Sequence, residues 1–392
     1  MSAPLKVIVA GAGLGGLALA NCLARKGFEV CIVEQTRSLG EVGAGVQISA
    51  NGARILHALG LEKPLAKGAF TPERGEVRHW QTGEVLATRP LGNSSLERFG
   101  FPYYHLHRAD FHGVLADAAT EMPNVSIHLG QKITDVSQTN TGVTVVTETG
   151  ETFNGDALIG SDGIHSAVRA ALFGPDQPRF TGCVAWRATI PTNRLPLGHV
   201  RPAASNWIGK GGHFVHYYLR GGALVNCVGV MEQDKWAAES WSSQGAQADF
   251  LADFQDWHED LKLLIHKAET CYRWGLFDRD PMPVWSHNRV TLLGDACHAM
   301  LPFMAQGAVM AIEDAYTVTQ CLAARPNNVS TALKRYETLR RERTAKVQKM
   351  SRDNIEFFHN ADIDDLEERL NSHRDAHLWL YGYDVTSLDF HG

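Results

Sequence analysis

The 392-residue sequence predicts an α/β protein with a discontinuous Rossmann-like nucleotide-binding domain, a β-rich second domain and a C-terminal helical tail. Three observations predict it. "KVIVAGAGLGGLALANCLARKGFEVCIVEQ" reads as strand, glycine loop, helix and strand in direct succession. Two later segments, "LIGSDGIHSAVR" and "LLGDACHAMLPFMAQGAVMAIEDA", each run an apolar strand into an aspartate-bearing turn. Between them, from about residue 182 to 280, "CVAWRATI", "GHFVHYYLRGGALVNCVGVM" and "CYRWGLFDRD" carry the β-branched and aromatic composition of a sheet.

Val7 to Ala10 is a continuous apolar run, as expected of a strand buried on both faces. Leu14 to Lys26 carries apolar residues at helical spacing, Gly27 stops the helix, and Glu29 to Val33 is the next strand. Gly11, Gly13 and Gly16 satisfy G-x-G-x-x-G. The first permits the tight turn, the second brings backbone close to a pyrophosphate, and the third lets helix pack on strand. A diphosphate then meets free N–H groups at the positive end of the helix. Gly11, Gly13, Leu14, Gly15 and Gly16 are therefore candidate cofactor-binding residues, joined by Glu34 and Gln35 at the tip of the second strand. An acid at Glu34 accepts hydrogen bonds from ribose hydroxyls and suits an adenosine with a free 2′-hydroxyl, so FAD or NAD rather than NADP.

Farther along, "ALIGS" is a strand leading to Asp162-Gly163, and "RVTLLGD" is a strand that ends on Asp295. Pro302 to Gly307 is a loop, after which Gly307-Ala308 opens the helix "AVMAIEDAYTVTQCLA". "RYETLRRERTAK", Arg335 to Lys346, alternates signs and reads as the solvated face of a helix. A net charge of -6 and a pI near 6.3 argue against nucleic acid as a partner. Seven dispersed cysteines without a C-x-x-C suit reduced thiols, and no apolar run reaches the length of a membrane span. A cytoplasmic enzyme without membrane or metal is expected.

The three motifs, "GAGLGGLALA", "LIGSDGIHSAVR" and "LLGDACHAMLPFMAQGAVMAIEDA", stand in the order found in the single-component FAD-dependent aromatic hydroxylases. From Lys6 to about Val347 the chain resembles that family, which has the 4-hydroxybenzoate hydroxylase fold and includes salicylate, 3-hydroxybenzoate and 6-hydroxynicotinate monooxygenases. The resemblance implies FAD as cofactor, NADH or NADPH as reductant with NADH favoured, dioxygen, and a small hydroxylated aromatic acid. It places Asp162 beside ribose or nicotinamide, Asp295 on the ribityl hydroxyls, and Gly307 and Ala308 under the pyrimidine end of the flavin. There the helix dipole favours the negative charge of reduction. It also implies that Arg108, at the start of "HRADFHGVLADAA", contacts the cofactor, that backbone near Ile133 meets the adenosine, and that Gln47 lies beside the flavin ring. Glutamine at Gln47 leans toward the benzoate-type members.

In the resembling family a C4a-hydroperoxide of the flavin attacks an electron-rich ring carbon, so the substrate needs a ring hydroxyl ortho or para to that carbon. His213 and Tyr217 share one face of "GGHFVHYYLR" with Val215. By resemblance they are the catalytic pair at the substrate hydroxyl, and the Pro302 loop touches the substrate. Arg187 and Arg220 are candidate anchors for a carboxylate. The FAD-binding domain is expected over 1–73, 100–178 and 283–345, the substrate domain over 74–99 and 179–282, and a helical segment over 346–392. The aromatic tail "HLWLYGYDVTSLDF" is expected to dock on a neighbouring surface, a homodimer interface being one option. A salicylate-like hydroxylation, decarboxylative if the attacked carbon bears the carboxylate, is the first reading. Hydroxylases of the 3-hydroxybenzoate or 6-hydroxynicotinate type come second, and a non-catalytic FAD-fold binding module is the reading from another class.

Overall fold

The computed structural model describes residues 4–40, 43, 45–234, 244–360 and 366–391. Its organising element is a five-stranded parallel sheet in the order Val290–Leu292, Ala157–Gly160, Lys6–Ala10, Glu29–Val33, Val125–His128. The central strand pairs Ile8 with Leu158 on one side and Val9 with Ile32 on the other, and all four of these side chains are fully buried. Burial on both faces explains the unbroken apolar runs read from the sequence. The helices Leu14–Arg25, Arg108–Thr120 and Gly307–Ala324 pack together over this sheet.

A second, eight-stranded sheet runs Gln244–Gly245, Cys271–Asp278, Arg179–Pro191, Leu224–Glu232, Gly212–Leu219, Ala203–Gly209, Arg74–His79, Val85–Pro90. One face is sealed by the helices Gln247–Asp253 and Glu259–Lys267, where Trp186, Phe214, Phe250, Phe254 and Trp257 form a separate aromatic core. The opposite face looks back toward the parallel sheet. A two-stranded ribbon, Gly45–Ile48 with Tyr104–His107, lies at the junction of the two halves.

The 30-residue helix Val329–Phe358 overturns one expectation. Arg340 and Arg343, in the segment read as solvated, are 0% and 6% exposed. Arg340 pairs with Glu313 (2.6 Å) and Asp314 (2.7 Å), and Arg343 with Glu313 (2.8 Å). The acids sit on the buried helix Gly307–Ala324, so two guanidiniums must enter the core to compensate them. Burial would push the two carboxyl pKa values up; instead Arg343 and Arg340 hold Glu313 below its usual range, and His298 and Arg340 hold Asp314 below its own. His298, whose Nε2 lies 2.5 Å from Asp314, belongs to this network.

The aromatic tail docks on its own chain. Leu380 and Tyr381 are buried, and the Arg343 guanidinium lies 3.6 Å from the Tyr383 ring centroid and 4.7 Å from that of Trp379. All seven cysteines are unpaired and buried. Among the described residues no helix is long and apolar enough to cross a membrane, and no cluster of metal-ligating side chains occurs.

Candidate active site

Between the two sheets lies a cavity of about 1140 Å³, larger than the roughly 300–1,000 Å³ of a site for one small ligand. Its wall includes Gly11, Gly13, Leu14, Glu34, Gln35, Gln47, Arg108, Ile133, Asp162, Asp295, Pro302, Gly307 and Ala308 together with His213 and Tyr217. Of the residues expected from sequence to touch cofactor or substrate, Gly15 and Gly16 lie behind this wall. A Cβ on Gly15 would meet Leu293 at 2.9 Å, and one on Gly16 would meet the Gly11 carbonyl oxygen at 2.1 Å. Their lack of side chains serves helix–strand packing.

At the nucleotide end, Gly11 takes φ +94°, and its backbone N–H donates to the Val33 carbonyl. A Cβ there would meet the Ser161 carbonyl at 2.8 Å, so two strand ends close on the glycine turn. Glu34 accepts from the amides of Ala12 (2.6 Å) and Thr36 (2.7 Å), which fixes the carboxylate at the strand tip. A carboxylate has about four lone-pair sites, so capacity for ribose hydroxyls remains. Ile133 begins the strand Ile133–Gln138, beside Gln131 and Lys132 on the same wall. Arg108 opens the helix Arg108–Thr120, its stem against Gly43.

Asp162 is turned inward. Its carboxylate accepts from the Ser166 hydroxyl (2.5 Å) and the Val168 amide (3.1 Å) at the start of the helix Ala167–Phe173. Burial raises its pKa, and these donors pull it partly back. Asp295 does not end a strand as its motif suggested. The strand stops at Leu292, Gly294 turns the chain at φ +62°, and Asp295 begins the short helix Asp295–His298 with its side chain exposed to the cavity. The Gly294 amide donates to the buried Asp314, which ties this turn to the ion-pair network.

Beyond it, Pro302–Met304 forms one 3-10 turn, Ala305 adopts φ +52°, and the helix Gly307–Ala324 starts at the cavity. The fully buried residues Ser49, Asn51 and Gln306 brace this helix start. The Gln306 side-chain amide donates to Ser49 (3.0 Å), and Asn51 donates to Glu313 (2.7 Å). Sequence reasoning missed these three because they come from distant segments and carry no local signature.

At the far end, the strand Gly212–Leu219 presents His213, Val215 and Tyr217 to the cavity and buries Phe214 in the aromatic core behind. Tyr217 is 4% exposed and packs so closely on the ribbon that a Cβ on Gly45 would lie 2.3 Å from its hydroxyl oxygen. Gly45 is held there by its amide, which donates to Asn226 (3.0 Å). Burial pushes the Tyr217 pKa up to about 12, against the opposing pull of the Arg187 charge and a hydrogen bond with Gln47. Gln47 also accepts from Tyr103 at 2.5 Å. Burial, with His359 adding to it, pushes the His213 pKa far down, so this imidazole is neutral. Arg187 shares the cavity, 4.5 Å from the Trp274 ring centroid, whereas Arg220 forms a bidentate pair with Asp110 (2.7 Å) outside it.

A glycine turn leading into a helix start, a carboxylate at the next strand tip, a second helix start in mid-cavity and room for a second, smaller molecule fit FAD. The sequence matches the FAD binding domain family over residues 4–351. It is 36% identical over 388 residues to the 3-amino-4-hydroxybenzoate 2-monooxygenase PtmB3 of Streptomyces platensis, covering 98% of this chain and 97% of that one. Identity is also 36% over 392 residues to the 6-hydroxynicotinate 3-monooxygenase of Pseudomonas fluorescens, covering 99% and 97%. Among solved structures, a salicylate hydroxylase substrate complex is similar at a TM-score of 0.83 and 27% identity, covering 98% of this chain and 97% of that one. With a shared fold and relatives that match nearly end to end, the chain belongs to the FAD-dependent aromatic-ring monooxygenases.

Proposed function

We propose that this enzyme hydroxylates a small hydroxylated aromatic acid using NADH or NADPH, NADH favoured, with a salicylate-like acid as first choice. Bound FAD, once reduced, supplies the activation of dioxygen. Gly11, Gly13, Leu14, Glu34 and Gln35 hold its adenosine diphosphate end, with Ile133 and Arg108 beside it. Asp162 positions the turn beneath the cofactor, Asp295 holds its sugar chain, and the helix start at Gly307 and Ala308 faces its ring with Gln47 and Pro302.

The observation that carries the substrate assignment is the pairing of His213 with Tyr217. They are four residues apart on one strand face with Val215 between them, about 13 Å between Cα atoms, so a substrate ring fits between their side chains. Their electrostatics divide the labour. Neutral His213 accepts the proton of the substrate hydroxyl, and Tyr217, with its pKa at about 12, stays protonated and donates to the oxygen. Taking up the proton at His213 raises electron density on the ring carbon to be attacked, and the Tyr217 hydrogen bond holds the oxygen in place. Arg187, whose charge is felt at Tyr217, anchors a carboxylate from the same wall. Trp274, Leu301 and Phe303 line this end and exclude water.

A hydroxynicotinate-type acid is the second reading, favoured by the near end-to-end match to the 6-hydroxynicotinate enzyme. Residues 74–99 and 179–282 act as the substrate domain and the three flanking segments as the FAD domain. NADH oxidation assayed against a panel of hydroxybenzoates and hydroxynicotinates, with products identified by mass, tests the reading. At least one acid with an ortho or para ring hydroxyl should stimulate turnover. If none does, the substrate class is wrong.

A further inference from the structure

His213 has a second connection that the proposed chemistry does not use. Its Nδ1 lies 2.9 Å from Nε2 of His359, and Nδ1 of His359 lies 2.8 Å from Oε1 of Glu232. The three side chains come from three elements: the cavity strand Gly212–Leu219, the residue capping the 30-residue helix Val329–Phe358, and the last residue of the strand Leu224–Glu232. Backbone bonds lock the junction, since the Gly211 amide donates to the His359 carbonyl and the Glu232 amide to the Gly211 carbonyl. Along the series the side chains pass from the cavity wall to solvent: His213 is 3% exposed, the His359 side chain 2%, and the Glu232 side chain 52%.

The carboxylate fixes the direction of every bond. Ionised Glu232 can only accept, so His359 carries its proton on Nδ1 and presents a bare Nε2. That Nε2 accepts from Nδ1–H of His213, which leaves Nε2 of His213 bare toward the cavity. Two aromatic rings, Phe303 and Phe358, pack against the His213 imidazole at 4.8 and 4.9 Å and keep bulk water from this stretch. The strand neighbours of His213 are Ile208 and Val230. The buried Cys183 thiol, paired across the sheet with Glu232, also feels its charge.

We propose that His213, His359 and Glu232 form a proton wire that carries the substrate's hydroxyl proton from the buried cavity wall to solvent. The inference rests on the functional reading given above, with His359 and Glu232 acting through His213. The substrate O–H bond breaks with its electron pair left on oxygen, and the proton binds Nε2 of His213. The proton on Nδ1 of His213 passes to Nε2 of His359, and that on Nδ1 of His359 passes to Glu232 and then to buffer. Nothing is oxidised or reduced. Both imidazoles end in the opposite tautomer, set to return a proton when the product oxygen needs one. Because burial keeps His213 from holding a positive charge, a wire suits it better than a proton store.

Two measurements on the FAD-loaded enzyme test this. Imidazole ¹⁵N spectra need no substrate: His213 and His359 should both carry the proton on Nδ1, and Glu232→Gln should let both tautomers mix. Protonation of His213 on Nε2 in the wild type would overturn the wire, whatever the substrate proves to be. In turnover with the panel acid that works best, His359→Ala should lower kcat roughly tenfold or more with KM nearly unchanged. Added imidazole should restore kcat in proportion to its concentration, whereas an uncharged heterocycle of similar size and low basicity should not. A His359→Ala variant with wild-type kcat, or one rescued equally by both heterocycles, would make His359 a mere tether of the helix end. A panel with no active acid, alongside the expected tautomers, would instead sink the substrate reading and leave the wire standing.

Discussion

Tyr217 and Gly45 make the site's chemistry testable one side chain at a time. Tyr217→Phe removes a donor and little volume, so FAD absorbance and thermal stability should stay within experimental error. The fraction of NADH converted to hydroxylated product should fall several-fold, and kcat by roughly 10²-fold. Loss of FAD in this variant would assign Tyr217 to structure instead. Gly45→Ala would place a methyl 2.3 Å from the Tyr217 hydroxyl oxygen, and the tyrosine must move or the ribbon must yield. A similar loss of coupling with bound FAD is expected, and unchanged coupling would show that the close approach is dispensable. The pairing of His213 with Tyr217 was legible from strand alternation. The approach of Gly45 was not, because nothing in a sequence tells which distant glycine a tyrosine will touch.

The helix pair Gly307–Ala324 and Val329–Phe358 illustrates where local reading stops. The glycine turn, the first helix and the strand Glu29–Val33 were readable because each signal is complete within a few residues. The arginines of the long helix looked solvated because the acids that draw Arg340 and Arg343 into the core lie on another element. Asp295 was placed at a strand end by its motif, whereas the positive φ of Gly294 carries it onto a helix. Removing one partner of a buried pair leaves a bare charge, so Arg343→Ala should lower stability by about 3–5 kcal/mol in chemical denaturation. A loss below about 1 kcal/mol would place Arg343 among ordinary surface ion pairs. Because Asn51 and Gln306 tie the same network to the helix start at the cavity, weaker FAD retention should accompany the loss.

At the scale of the molecule, three buried histidines predict how the fold responds to acid. Burial lowers the pKa of His105 and of His216 from 6.5 to about 3, and that of His213 far below its usual value. Above pH 6.5 both folded and unfolded chains keep these imidazoles neutral, and their contribution is fully present. As pH falls from there toward 3, the unfolded chain binds protons that the folded chain refuses. Each histidine therefore costs up to about 1.4 kcal/mol of stability per pH unit in that window. Melting temperature should drop steadily between pH 6.5 and 4.5, and a flat profile would mean that these side chains are hydrated in solution. The two-sheet architecture itself was legible, since parallel and antiparallel segments differ in their apolar patterning. Its cavity was visible only as an expectation, because it forms where three separated stretches of chain converge. That convergence, with a flavin at the mid-cavity helix start and an aromatic acid at His213 and Tyr217, is tested most directly by turnover under ¹⁸O₂. The protein should be yellow, and its product should carry one labelled oxygen on the ring. An unlabelled product, or NADH consumption that no aromatic acid alters, would contradict it.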